Sequence, residues 1–230
     1  MTEWFAGTLE RHDAVRSITK ASARTLLVER KGITPITIAP VATGYLETQD
    51  VEHILNDQAV TIICLVPKEA HYAWEARELA ESLGSTTQTV KEVFTYLSWV
   101  DPRPLVDKNV DFARNRLAQH SRVDGIRMIC EASMELFRDG LSNIVIAIDY
   151  QYEFSEEALV GAIKRHPQAN AIMNVNPNGR PTEAALEHAR HAKIGLFNYT
   201  ELMGALNYDG NTFLNYRPPE RPRRHLPRPR

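Results

Sequence analysis

Reactive side chains cluster at a few short places in the chain. Asp149 and Gln151, separated only by Tyr150, follow the apolar run NIVIAI, so a carboxylate and a carboxamide emerge together from a buried segment. Asn174 and the loop NPNGRP at 176–181 follow a second apolar run, and Asn198 with Tyr199 follow a third. A polar loop in front of a helix offers backbone N–H groups, here with Arg180 beside them, to an anion. Asn, Pro and Gly also serve as plain turn residues. His188 and His191 stand three apart on a helical pattern with no further ligand spaced to complete a metal site, and read as a solvated helix face. The closing stretch holds Arg217, Arg221, Arg223, Arg224, Arg228 and Arg230 against one glutamate. Proline recurring along it bars helix and central strand, leaving an extended cationic segment suited to phosphate backbones, to docking on another protein, or to solubility. GxGxxG, Walker, HExxH, GxSxG and CxxC patterns are absent, which removes the common nucleotide-binding and hydrolase signatures.

These groups fall at the carboxyl ends of predicted strands, where open α/β sheets collect their functional residues. In the first half, Asp13 is expected to cap a helix through Val15, Ile18, Ala21, Leu26 and Val28 that closes on Gly32. A strand at 36–38, a helix at 46–57, a strand at 60–66, a helix at 71–83, a strand at 86–90 and a helix at 91–99 follow, with a boundary at 101–104. The second half is predicted as helices at 108–120 and 124–139, the latter closed by Gly140, then strand 143–149 and helix 156–166 capped by Ser155. Strand 169–176, a helix from Pro181 to Ala192, strand 193–197 and helix 200–208 complete it. The predicted fold class is α/β, with two tandem related α(βα)3 units, mainly parallel sheets and three layers. The units are 1–104 and 105–210, followed by a Pro/Arg-rich tail at 211–230. Strand ends in the first half, 40–44, 67–71 and Thr89, are poorer in reactive groups.

An internal echo supports the halves. Shifting the sequence by 109 positions lays 37–98 on 146–207 and matches ten pairs: Glu47/Glu156, Val51/Val160, Ile54/Ile163, Ile63/Ile172, Val66/Val175, Ala76/Ala185, Glu78/Glu187, Ala80/Ala189, Glu92/Glu201 and Leu97/Leu206. A chain of 230 residues, 43% hydrophobic, can bury one good-sized core or two modest ones. Its net charge of -2 hides an acidic body and a basic end. Cys64 and Cys130 lie in apolar segments and suit a reduced compartment as core fillers. No apolar run reaches membrane-span length and no leader pattern opens the chain, so the cytoplasm is expected.

The stretch AIMNVNPNGRPTEAALEHARHAKIGLFNYTELMGAL resembles the carboxyl-terminal part of Mrr-type members of the restriction-endonuclease-like, PD-(D/E)xK, superfamily. Ala185 and Ala189 match its alanines four apart, 194–197 its short strand, and Glu201 with Leu202 its last helix. The resemblance covers about a third of the chain and returns faintly at 60–98. It implies two acidic side chains holding Mg²⁺ and a lysine that orients water on a phosphodiester. By position, Asp149 would be the acid and metal ligand, but Gln151 stands where the lysine belongs. Lys164 on the next helix could substitute, and Glu131 or Asp139 could supply the upstream acid and second ligand. Glu29-Arg30-Lys31 spells E-x-K literally. In a helix's last turn Lys31 would only complement the dipole, whereas a strand at 24–31 paired near Asp13 would make a credible catalytic site.

Three readings follow. The first is a nucleic-acid-interacting protein with a restriction-endonuclease-like core, either a Mg²⁺-dependent nuclease or an inactive relative, in a DNA-processing or defence assembly. In it Arg180 and the tail arginines touch nucleic acid. The second is a Rossmann-like binding module for a small phosphorylated ligand. The third is an accessory or scaffold subunit with protein partners, including further copies of itself.

Overall fold

The computed structural model describes residues 1–103 and 107–219. Two compact units emerge, one formed by Met1–Val110 with Met128–Ala132, the other by Asp111–Arg127 with the chain from Ser133 onward. No helix among the described residues is long and apolar enough to cross a membrane.

The first unit opens with α1 (Thr2–Leu9) and the strands β1 (Val15–Lys20), β2 (Leu26–Arg30) and β3 (Ile33–Val41), each antiparallel to the next. Short β4 (Tyr45–Leu46) and α2 (Thr48–Asp57) lead to β5 (Ile62–Leu65), which lies parallel to β3. Then come β6 (His71–Tyr72), α3 (Trp74–Ser82), β7 (Thr86–Thr89), parallel to β5, and α4 (Val90–Tyr96). The sheet runs β1-β2-β3-β5-β7, and β4 pairs with β6 apart from it. Alternation along β5 makes three layers. Ile62 and Cys64 join Phe5 and Leu9 of α1 and Val93 of α4, while Ile63 and Leu65 join Val51 of α2 and Ala76 and Ala80 of α3. Each large side chain so buried contributes about 1.5–3 kcal/mol.

α5 (Lys108–Leu117) and β8 (Val123–Cys130) fall partly in the second unit, which continues with β9 (Ser133–Arg138), β10 (Ile144–Asp149), β11 (Glu153–Phe154), α6 (Glu156–Arg165), β12 (Ala171–Asn174) and β13 (Arg180–Pro181). It closes with α7 (Glu183–Ala192), β14 (Gly195–Asn198), α8 (Tyr199–Ala205) and α9 (Gly210–Leu214). Its sheet order is β14-β12-β10-β9-β8, with β9 and β10 antiparallel and β10, β12 and β14 parallel. Ala147, Ile172 and Leu196 face α6 and α7. Phe197, on the other face, meets Phe213 of α9 with ring centroids 5.4 Å apart.

The α/β class holds, but the helices expected over 13–31 and 124–139 are strands, so each sheet is mixed, with antiparallel pairing on β2–β3 and β9–β10 and parallel pairing through the last three strands. Along β2, Leu26, Val28 and Arg30 are buried and Leu27 and Glu29 half-exposed; β9 buries Met134, Leu136 and Arg138 and turns Glu135 and Phe137 outward. That is the period of two of a strand. Gly32 and Gly140, taken as helix ends, instead occupy turns between antiparallel strands, at φ +76° and +67°. A left-handed glycine closes a hairpin strand as readily as a helix, which is why the signal misleads. Pro181 belongs to β13, and α7 starts two residues later, capped by the Thr182 hydroxyl accepting from the Ala185 N–H.

The same contacts recur in each unit. His12 accepts the Ala14 N–H at Nδ1 and meets the Phe94 carbonyl through Nε2 at 3.0 Å; His120 does so with Arg122 and Met203, also at 3.0 Å. Buried Arg30 donates to the carbonyls of Thr34, Leu97 and Trp99; buried Arg138 donates to those of Ser142, Leu206 and Tyr208 and to the Asp209 carboxylate. Counterparts differ by 108 positions up to α2 and α6, and by 109 from β5 and β12 onward. The ungapped shift of 109 is therefore out of register for Glu47, Val51 and Ile54. Buried Val51 corresponds to buried Leu159, not to Val160, which is 45% exposed. The pairs from Ile63/Ile172 to Leu97/Leu206 keep their register.

Candidate functional site

In the second unit the parallel strands β10 and β12 end side by side, Asp149 opposite Asn174. The Asp149 carboxylate, only 13% exposed, is already engaged on both oxygens. Oδ1 accepts the Tyr150 N–H at 2.7 Å and the Gln151 amide at 3.1 Å, and Oδ2 accepts Arg165 Nη2 at 3.0 Å. Arg165 ends α6 and lies next to Lys164, which is exposed. Sequence reasoning looked for the cation one residue too early, because only the docking of α6 on the sheet shows which side chain reaches back.

Below the carboxylate lies a knot of amides. The Gln151 N–H donates to Asn174 Oδ1 at 3.1 Å, and Asn174 Nδ2 returns a bond to the Gln151 carbonyl at 2.9 Å, a side chain standing in for the next strand residue. Asn174 Oδ1 also accepts the Asn176 N–H, and Asn176 Oδ1 accepts the Asn178 N–H. A Cβ at Gly179 would lie 2.3 Å from both Asn174 Nδ2 and the Gln151 carbonyl, so only glycine fits. The loop 176–181 is thus a built turn, tied to the 150–152 segment by the Arg180 N–H donating to the Tyr152 carbonyl at 3.0 Å. Outward from it stand Tyr150, 46% exposed, and Tyr152, 70% exposed, edge to face with centroids 6.1 Å apart. Interaction with Tyr152 raises the Tyr150 hydroxyl above the ordinary tyrosine range. Arg180 is exposed beside them. The Tyr-x-Tyr spacing was visible in the sequence, but Tyr150 counted there only as a spacer.

The other candidates lie apart from this knot. In the first unit the places of Asp149 and Gln151 are taken by Val41 and Thr43, so its strand tips carry no carboxylate there. Of the two readings of 24–31 the strand is observed: Glu29 is in β2, which pairs with β1, and Lys31 is in the turn after it, its N–H donating to the Ala14 carbonyl beside Asp13, with Glu29 half-exposed and Lys31 exposed. Asp13 is exposed in the turn before β1. Glu131 groups with the first unit, where it bonds His71 Nδ1. Asp139 is exposed at 3.9 Å from Arg122. His188 pairs with Glu156 at 3.0 Å, which leaves the expected solvated face. Burial pushes the Cys64 thiol up, as befits a core filler. Arg217 is exposed; Arg221, Arg223, Arg224, Arg228 and Arg230 lie outside the described residues.

Among the described residues no three His, Cys, Asp or Glu side chains converge on a point that could hold a metal ion. The donor set around Asp149 does not fit Mg²⁺: one carboxylate, two carboxamides and a guanidinium already bound to it. Comparison with protein-family models, with curated proteins and with solved structures finds no match.

Proposed function

We propose that this protein binds nucleic acid through a non-cleaving, restriction-endonuclease-like core, as part of a DNA-processing or defence assembly. The observation that carries the reading is Arg165 on Asp149. The family chemistry requires a dication on that carboxylate and a lysine two residues on; here a guanidinium occupies one oxygen at 3.0 Å and Gln151 holds the other. Two like unit charges about 4 Å apart repel by about 4 kcal/mol at an effective dielectric near 20, and a dication doubles this. What the tip retains is a rigid loop carrying aromatic rings and an arginine, groups that bind rather than cut. We take the shared Arg and His clamps as marks of an ancestral duplication in which the first unit lost its polar tip. The tail arginines add salt-sensitive phosphate contacts.

The test is incubation of purified protein with plasmid and Mg²⁺ or Mn²⁺ beside Asp149→Ala, together with gel shifts of full-length protein and of protein lacking 217–230. The expected outcome is no cleavage by either form, and retention that weakens with salt and with loss of the tail. Metal-dependent nicking that disappears in Asp149→Ala would overturn the non-cleaving reading.

A further inference from the structure

We infer that Tyr150, Tyr152 and Arg180 form a stacking face for the unpaired bases of single-stranded nucleic acid, an inference that rests on the proposed function and narrows it. The alternation of the segment sends Asp149 and Gln151 into the amide knot and Tyr150 and Tyr152 outward. Burial of Asp149, the Gln151–Asn174 pair of bonds and the glycine-only approach of Gly179 hold the backbone beneath both rings. The rings are therefore presented by a fixed support, so little ordering entropy is lost when a planar group stacks on them.

An edge-to-face contact covers one face of only one of the two rings, and Tyr152 stays 70% exposed. Such faces accept any base, because every base has a π-face, but only when the base is not covered by its neighbours in a duplex. Arg180, fixed next to Tyr152 through its own backbone, places a guanidinium within reach of the phosphate that links stacked bases. Glu153 stands directly opposite Arg180 in the β11–β13 pair and is exposed, so it competes for that guanidinium and moderates affinity.

The test uses full-length protein and a fluorescein-labelled oligothymidylate, with a duplex of equal length as control, read by anisotropy at two salt concentrations. Tyr150→Ala and Tyr152→Ala are each expected to raise Kd for the single strand about tenfold, by the same factor at both salts, with duplex affinity unchanged. Tyr→Phe at both positions should keep Kd within about threefold, and Glu153→Gln should tighten it. Circular dichroism and denaturation midpoints of each variant establish that it is folded. Single-strand affinity that ignores both alanine changes in folded variants, or that falls equally with phenylalanine, overturns the stacking face alone. Wild-type protein that binds neither oligonucleotide overturns this inference and the nucleic-acid reading with it.

Discussion

Gly179 is the residue on which the tip depends most directly. Gly179→Ala drives a methyl group into Asn174 Nδ2 and the Gln151 carbonyl and should cost about 1–3 kcal/mol by urea denaturation, through overpacking. His120 confers one pH sensitivity. Burial holds its pKa below the ordinary value, with Arg122 and Arg138 acting in the same direction and the bond to the Met203 carbonyl against it. Its Nδ1 accepts from Arg122 N–H, which only an unprotonated Nδ1 can do. A histidine favoured as neutral in the fold gives its full stability above pH about 6.5; that stability declines as pH falls below this value, and the decline ends at the folded-state pKa. Comparing denaturation midpoints at pH 7.5 and 5.5 should show a larger drop in wild type than in His120→Asn. At this scale the sequence was informative about Asp149, Gln151 and the Asn-rich loop, since these follow apolar runs. It was silent on Arg165, whose relation to Asp149 exists only once α6 lies on the sheet.

Secondary elements were legible where one period dominated. The runs at β5, β10 and β12 are apolar because both faces are covered, up to the Asp149 and Asn174 that end the last two, and the expected Ser155 cap marks a real helix start; the boxes Thr89/Glu92 and Asn198/Glu201 start two more helices. The antiparallel strands were not legible, because short segments with buried arginines at an inward position break the apolar alternation that would have identified them. Arg30 and Arg138 look like surface residues until their carbonyl partners are known. The hairpin glycines give an element-scale prediction. Gly32→Ala and Gly140→Ala meet open space, so each should cost only the backbone strain of a left-handed alanine, about 1 kcal/mol, in denaturation midpoint.

For the molecule as a whole, the shared clamps matter more than the ten matched letters. Each buried arginine ties the β-hairpin to the end of the helix that follows the last strand of its sheet, α4 or α8. Arg138→Met strands the carbonyls of Ser142, Leu206 and Tyr208, while the Asp209 carboxylate keeps its bonds from the Ser142 N–H and hydroxyl, and should cost about 3 kcal/mol, with amide exchange in α8 accelerated. Arg30→Met should do the same to α4. The repeat was detectable because the second part of each unit keeps its spacing, and it was slightly misread because a gapless shift cannot absorb one extra residue.

That extra residue lies between α6 and β12, where five residues do what four do between α2 and β5. One connection in two lengths, each followed by an undisturbed parallel strand, shows a joint that takes up a single added residue locally. Its tolerance is narrow, because His166 and Ala169 are buried within it and Asn170 is bonded to both neighbouring strands.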